Sequence, residues 1–173
     1  MRDRSTSAVR RAVVRAGLVF GLGIGGFLDG IVLHMLLQWH HLLCFACRPE
    51  ATAAEVRRNV YFDGWFHVGT LALTLAGVAL LWRALRAQLN PPPVRVFLGA
   101  SVAGWGLFNL VEGIIDHELL GIHHVRPGPY YVAWDIGFLV VSVVIMGIGW
   151  AIVRERRTTT VRWGAPQPAG ARI

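Results

Sequence analysis

With 173 residues, a mean hydropathy of +0.50 and 54% apolar side chains, the chain has the length of one domain but is too apolar for an ordinary soluble one. Its net charge of +7 comes from 17 arginines and no lysine. No basic surface is interleaved with aromatic residues, which argues against a nucleic-acid partner.

Residues 1–15 form a basic leader rich in Ser, Arg and Ala, read as a disordered cytoplasmic anchor. The first apolar run, 16–37, has arginines ahead of it but no small-residue cleavage site, so it reads as a retained helix and not as a signal peptide. Glycines at 17, 21 and 25, then 26 and 30, carry the four-residue spacing that lets a neighbouring helix come close. A loop containing Cys44-Phe45-Ala46-Cys47 stays polar to Asn59. The second apolar run covers 64–82, and Asn90-Pro91-Pro92-Pro93 then forbids helix and enforces a turn. The third run, 96–115, is followed by the short turn Arg126-Pro127-Gly128-Pro129. The fourth, 131–153, opens with Tyr130, Tyr131 and Trp134, as an interfacial aromatic belt would. Residues 154–173 read as a disordered cytoplasmic tail.

Each run meets the roughly 20 residues needed to cross a hydrocarbon core of about 30 Å. Thirteen arginines lie in the two tails and the middle connection, against Arg48, Arg57, Arg58 and Arg126 in the other two loops. That asymmetry puts both termini inside and gives the chain a juxtamembrane attraction for anionic lipid. The predicted fold is an all-α integral membrane protein: four transmembrane helices in an antiparallel bundle, built from two similar helix pairs at 16–83 and 96–153, with both termini cytoplasmic.

The pairs share a motif. Asp29-Gly30-Ile31-Val32-Leu33-His34-Met35-Leu36-Leu37-Gln38-Trp39-His40-His41 aligns without a gap on Glu112-Gly113-Ile114-Ile115-Asp116-His117-Glu118-Leu119-Leu120-Gly121-Ile122-His123-His124, 83 residues later. Asp63 and Phe66 fall on Asp135 and Phe138 at an offset of 72, so the first loop holds 11 extra residues, where the cysteines sit. Six of the seven histidines lie in the two copies, and the seventh, His67, is one turn after Asp63. A pseudo-twofold axis along the membrane normal is the natural packing of such copies.

At 100° per residue His34 and His41 share one helical stripe and Asp29 and His40 another. His117 with His124 and Glu112 with His123 repeat this, with Asp116 beside Glu112. Seven helical residues span about 10 Å, too far for both histidines of a stripe to hold one ion. The pattern therefore predicts two or more metals, or one with ligands from several helices. The candidate ligands are Asp29, His34, His40, His41, Asp63, His67, Glu112, His117, His123, His124 and Asp135. Asp63 and His67 are spaced to chelate one ion, or to set a carboxylate behind a bound imidazole. The bland reading is a set of Asp-His hydrogen bonds that lock the bundle. Five acids in or beside membrane spans, each costing about 2.5–3.5 kcal/mol at a helix centre, favour function over packing. Cys44 and Cys47 suit a disulfide, a soft-metal site for copper or a fourth corner for zinc.

Gly26-Phe27-Leu28-Asp29-Gly30-Ile31-Val32-Leu33-His34, Leu37-Gln38-Trp39-His40-His41, Asp63-Gly64-Trp65-Phe66-His67, Asn109-Leu110-Val111-Glu112-Gly113, His123-His124-Val125-Arg126 and Trp134-Asp135 together resemble the bacterial membrane-protein family catalogued as domain of unknown function 2243. The resemblance covers about 16–153; Met35 and the Cys-Phe-Ala-Cys loop depart from it. It implies a four-helix inner-membrane protein of unassigned activity, with a link to respiratory oxidase assembly factors.

The functional expectation is a membrane metalloprotein, in enzyme form a hydrolase or an oxidase or hydroxylase. Zinc or iron would activate water or dioxygen, Glu112 or Asp116 would serve as general base, and a lipid-soluble substrate would enter from the bilayer. Copper acquisition or transfer is the non-enzymatic alternative. Haem ligated by His34 and His117, or a proton-conducting bundle, stands behind it.

Overall fold

The computed structural model describes residues 2–43, 50–86, 92 and 94–155. Four helices account for most of them: α1 (Arg2–Asp29), α2 (Ala53–Leu85), α3 (Val94–Glu112) and α4 (Tyr131–Arg154). Both α1 and α3 continue without a break into a wider π-helical segment, Gly30–Leu36 and Gly113–Leu119. Four stretches are long and apolar enough to cross a membrane: Ser7–Leu36, Ala53–Leu85, Val94–Leu119 and Tyr131–Arg154. The Cys44 and Cys47 loop, most of the proline turn and the tail beyond 155 lie outside the described residues.

Two helices begin earlier than expected. Helix α1 starts at Arg2, so the leader read as disordered is helical. Helix α2 starts at Ala53, eleven residues before the expected Gly64, because Thr52 and Glu55 form a capping box: the Thr52 hydroxyl accepts from the Glu55 amide at 3.3 Å, and the Thr52 amide donates to Glu55 Oε2 at 2.8 Å.

Small residues decide which helices meet. A methyl group added at Gly17 would strike Ala100 and one at Gly21 the Ser101 carbonyl, while one at Gly104 would strike the Leu18 carbonyl. The contacts advance together along both chains, so α1 and α3 run parallel. Gly23 abuts Thr74 and Gly77 abuts Phe20, which sets α2 antiparallel to α1; Gly106 against Met146 and Gly149 against Ala103 do the same for α4 and α3. The principal interfaces are α1 with α2, α1 with α3, and α3 with α4. The expected antiparallel bundle is thus a row, α2–α1–α3–α4, with a parallel central pair. The most apolar windows of α1 and α3 are each 44% buried, against 11% and 17% for α2 and α4, which turn Val, Leu and Trp side chains outward to lipid.

At the end of the bundle where the chain starts and α4 stops, the Arg10 guanidinium donates to the Val153 carbonyl at 2.6 Å, and Arg95 pairs with Glu155 at 3.5 Å. At the other end Arg126 lies over the rings of Trp39 and Trp134, joining the two turns that follow the π-helical segments.

Gly21→Val is expected to destabilise the fold by at least about 2 kcal/mol, since the Ser101 backbone has no room to yield. Gly64→Val, where no atom lies within 4 Å, is expected to change it by less than about 0.5 kcal/mol. Thermal unfolding in mild detergent compares the two.

Candidate metal centre

The two π-helical segments create the site. In an α-helix residues five apart point about 140° away from each other, whereas in a π-helix residue i+5 stands one turn above residue i. The wider turn therefore stacks His34 over Asp29, Nε2 to Oδ2 at 3.3 Å, and His117 over Glu112, Nε2 to Oε1 at 3.1 Å. It also turns Asp116 away from the cluster that four-residue spacing would have placed it in. Backbone bonds close each segment alike: Leu37 to Val32 and Trp39 to Leu33, then Leu120 to Ile115 and Ile122 to Asp116, all 2.8–2.9 Å.

Beyond the segments the chain reverses. Gln38 at φ 50° and Gly121 at φ 56° occupy equivalent left-handed positions, and the turn folds the His-His pair back onto the helix end. The stripe geometry expected for a continuous helix, with about 10 Å between His34 and His41, does not survive this reversal: their rings lie 6.2 Å apart. The His34 and His40 rings are 4.8 Å apart and those of His117 and His123 are 5.0 Å apart.

The second histidine of each pair faces the neighbouring helix. His41 Nδ1 donates to Asp63 Oδ2 at 2.6 Å and His124 Nδ1 to Asp135 Oδ2 at 2.7 Å, while the Leu42 and Val125 amides donate to the other oxygens of these acids, each at 2.9 Å. Asp63 Oδ1 then lies 3.0 Å from His34 Nδ1, and Asp135 Oδ1 lies 3.5 Å from His117 Nδ1. Both acids stand behind an imidazole whose Nε2 faces the centre, the arrangement that orients a metal-bound histidine.

At the middle, His40 and His123 stack 4.5 Å apart with planes 8° from parallel. His40 Nδ1 donates to the Val125 carbonyl of the second copy at 2.9 Å, which leaves Nε2 as a lone-pair donor buried without a partner, 4.0 Å from Asp29 Oδ2. Burial, followed by the charge of His123, pushes the His40 pKa down to about 3, so this ring is neutral at ordinary pH. His123 Nε2 lies 3.2 Å from Glu112 Oε1.

The ligand atoms fall into two groups, Asp29, His34 and His40, and Glu112, His117, His123 and His40; within each group they lie within 4.8 Å of one another. Tetrahedral ligands with bonds near 2.1 Å stand about 3.4 Å apart, so the side chains would draw inward to hold one ion. A buried oxygen without a hydrogen bond, Glu112 Oε2, fits the same demand. Charge agrees as well. Asp29, Asp63, Glu112 and Asp135 are each at most 9% exposed, and among the described residues their ion pairs are with histidines alone. Two divalent cations would match the charge of the four carboxylates in their ionised form.

The other candidates stand elsewhere. The Asp63 carboxylate serves His34 and His41, and His67 donates from Nδ1 to the Asp63 carbonyl at 2.7 Å with its ring against Gly30, so the expected Asp63–His67 chelate is not formed. Asp116 is half-buried and borders an apolar pocket. What the sequence reading missed is the π-helical widening: the signal was the five-residue spacing of acid and histidine in both copies.

The family model described as "Predicted membrane protein (DUF2243)" matches residues 16–156. The chain belongs to this family. No curated protein and no solved structure matches it.

Two predictions follow from this geometry. Gln38→Gly is expected to stabilise the protein by about 0.5–1 kcal/mol and Gly121→Gln to destabilise it by about 1 kcal/mol, because only glycine takes left-handed φ freely; paired melting curves compare them. For metal-free protein, the folded pKa of His40 lies below its unfolded value near 6.5. Its contribution to stability is therefore full above about pH 6.5 and falls as pH drops toward 3, by up to about 1.4 kcal/mol per unit. The acid limb of a stability-versus-pH curve is expected to flatten in His40→Gln.

Proposed function

We propose that this member of the family is a membrane metalloprotein that holds two divalent transition-metal ions, zinc or iron, between its two helix pairs. One ion takes Asp29, His34 and His40; the other takes Glu112, His117 and His123, with His40 within reach of both. The observation that carries the reading is the pair of matching two-histidine, one-carboxylate sets, a ligand composition that leaves coordination positions open for reactive ligands. Asp63 and Asp135 orient His34 and His117, and His41 and His124 fix those acids in turn. Bound at such a centre, the ions would supply acidification of water or activation of dioxygen. Asp116, outside both ligand sets, is the carboxylate free to accept a proton.

The copper-transfer alternative rests on Cys44 and Cys47 beside His40 and His41, and the two cysteines lie outside the described residues. Haem between His34 and His117 is disfavoured, since the His40 and His123 rings fill the space between them: His40 lies 4.8 and 5.9 Å from the two rings, His123 6.5 and 5.0 Å. We further read the chain as a duplicated helix pair in the bacterial inner membrane with both termini cytoplasmic. The arginines at the α1 start and α4 end support that orientation.

Elemental mass spectrometry on protein purified from membranes without chelator or histidine tag tests the proposal. About two equivalents of zinc or iron per chain are expected, falling by at least tenfold in a His34→Ala, His117→Ala double variant that still folds. Near-zero metal in the unaltered protein would overturn it and leave a buried network of protonated histidines and acids.

A further inference from the structure

The two halves match so closely that their departures from symmetry are informative. Asp116 is one: its counterpart in the first copy is Leu33. Among the described residues the Asp116 carboxylate takes part in no hydrogen bond or ion pair; its backbone carbonyl accepts from the Ile122 amide. It borders a pocket of about 430 Å³ whose walls are Leu22, Phe66, Leu107, Phe108, Val111 and Ile115, with Glu112 beside it. At the symmetry-related position of Leu22 stands Trp105, packed against Gly25, which is itself the counterpart of Phe108. One side thus carries a large ring on a glycine, and the other an open space with an added acid.

Every lining residue belongs to a membrane-spanning stretch, and Val111 and Ile115 are 45% and 41% exposed. The pocket therefore opens sideways into hydrocarbon. Its polar end is a pair of acids, Asp116 and the buried Glu112, whose Oε2 has no partner. Carboxyl oxygens in apolar surroundings call for hydrogen-bond donors. Phe66 and Phe108, with ring centroids 6.1 Å apart, flank the space with aromatic faces. Its volume is in the range of small-molecule sites.

We propose that this pocket binds a lipid-soluble phenol, a ring bearing a hydroxyl group on a hydrocarbon tail. The hydroxyl donates to Asp116 and lies beside Glu112, the ring lies against Phe66 and Phe108, and the tail runs out past Val111 and Ile115 into the bilayer. This gives the metal centre its substrate class and rests on the reading above, since Glu112 belongs to both the pocket and a ligand set. The asymmetry assigns the ligand to the second copy's side of the centre.

The test uses protein in lipid nanodiscs and an alkylphenol probe carrying a photoreactive diazirine, with cross-links mapped by peptide mass spectrometry and metal content measured on the same samples. Labelling is expected on the peptides holding Phe66 and residues 107–115. It should be displaced by 4-nonylphenol at concentrations at least tenfold lower than by nonylbenzene, which lacks the hydroxyl. Val111→Trp, which fills the pocket from its lipid side, should reduce labelling at least tenfold, and Asp116→Leu, which restores the first copy's residue, at least fivefold, both with metal content unchanged. Labelling spread along the lipid faces of α2 and α4, equal displacement by nonylbenzene, or indifference to Val111→Trp would overturn the proposal. Metal retained without specific labelling sinks the pocket alone, whereas specific labelling of metal-free protein sinks the metal reading and leaves the pocket standing.

Discussion

Four carboxylates are buried in the helices of a membrane protein with no arginine paired to them among the described residues, and the rest of the structure is arranged to make that tolerable. Each acid alone would cost a few kcal/mol in a spanning helix, and the histidines paired with the acids offset part of it. Asp63 and Asp135 are each met by a backbone amide and a histidine from the returning turn. Asp29 faces His34 and His40 of its own copy, and Glu112 faces His117 and His123 of its own. In the proposed function, divalent cations would complement the charge of this cluster.

Bringing those groups together needs close helices and a change of helical pitch. Glycines at 17, 21 and 104 let α1 and α3 approach until backbone meets backbone. The parallel pair so formed brings the two motif copies to the same end. The π-helical segments then widen each helix where the acid and histidine are five residues apart, so that both face the partner copy. Such widening loses ideal α-helical geometry and is common at functional sites. Gly30 and Gly113 fit the same place, because a side chain there would collide with His67 or Leu139 of the flanking helix.

The two sets touch at their centre: His40 stacks on His123, and its Nδ1 donates to the Val125 carbonyl, which ties the first helix pair to the second. Outer helices α2 and α4 each contribute one acid and otherwise present apolar side chains to lipid. Symmetry breaks at Asp116 and Trp105, where the second copy gains a carboxylate and the first face gains a ring in place of open space.

The sequence by itself determined the helical membrane fold and the identity of the ligand-type residues. Hydropathy runs of spanning length, the arginine asymmetry and a motif repeated at a fixed offset are all local features, and local features survive in a linear string. The capping box at Thr52 and Glu55 was equally legible, although the longer apolar run beyond Gly64 masked it. Tertiary structure decided which of eleven candidates converge. Asp29, His34, His40, Glu112, His117 and His123 face one another, Asp63, His41, Asp135 and His124 stand behind them, and His67 packs apart. No periodicity gives that sorting, because it depends on a pitch change at Gly30 and Gly113 and a chain reversal at Gln38 and Gly121. Assuming a continuous α-helix set His41 about 10 Å from His34, whereas the reversal brings their rings to 6.2 Å.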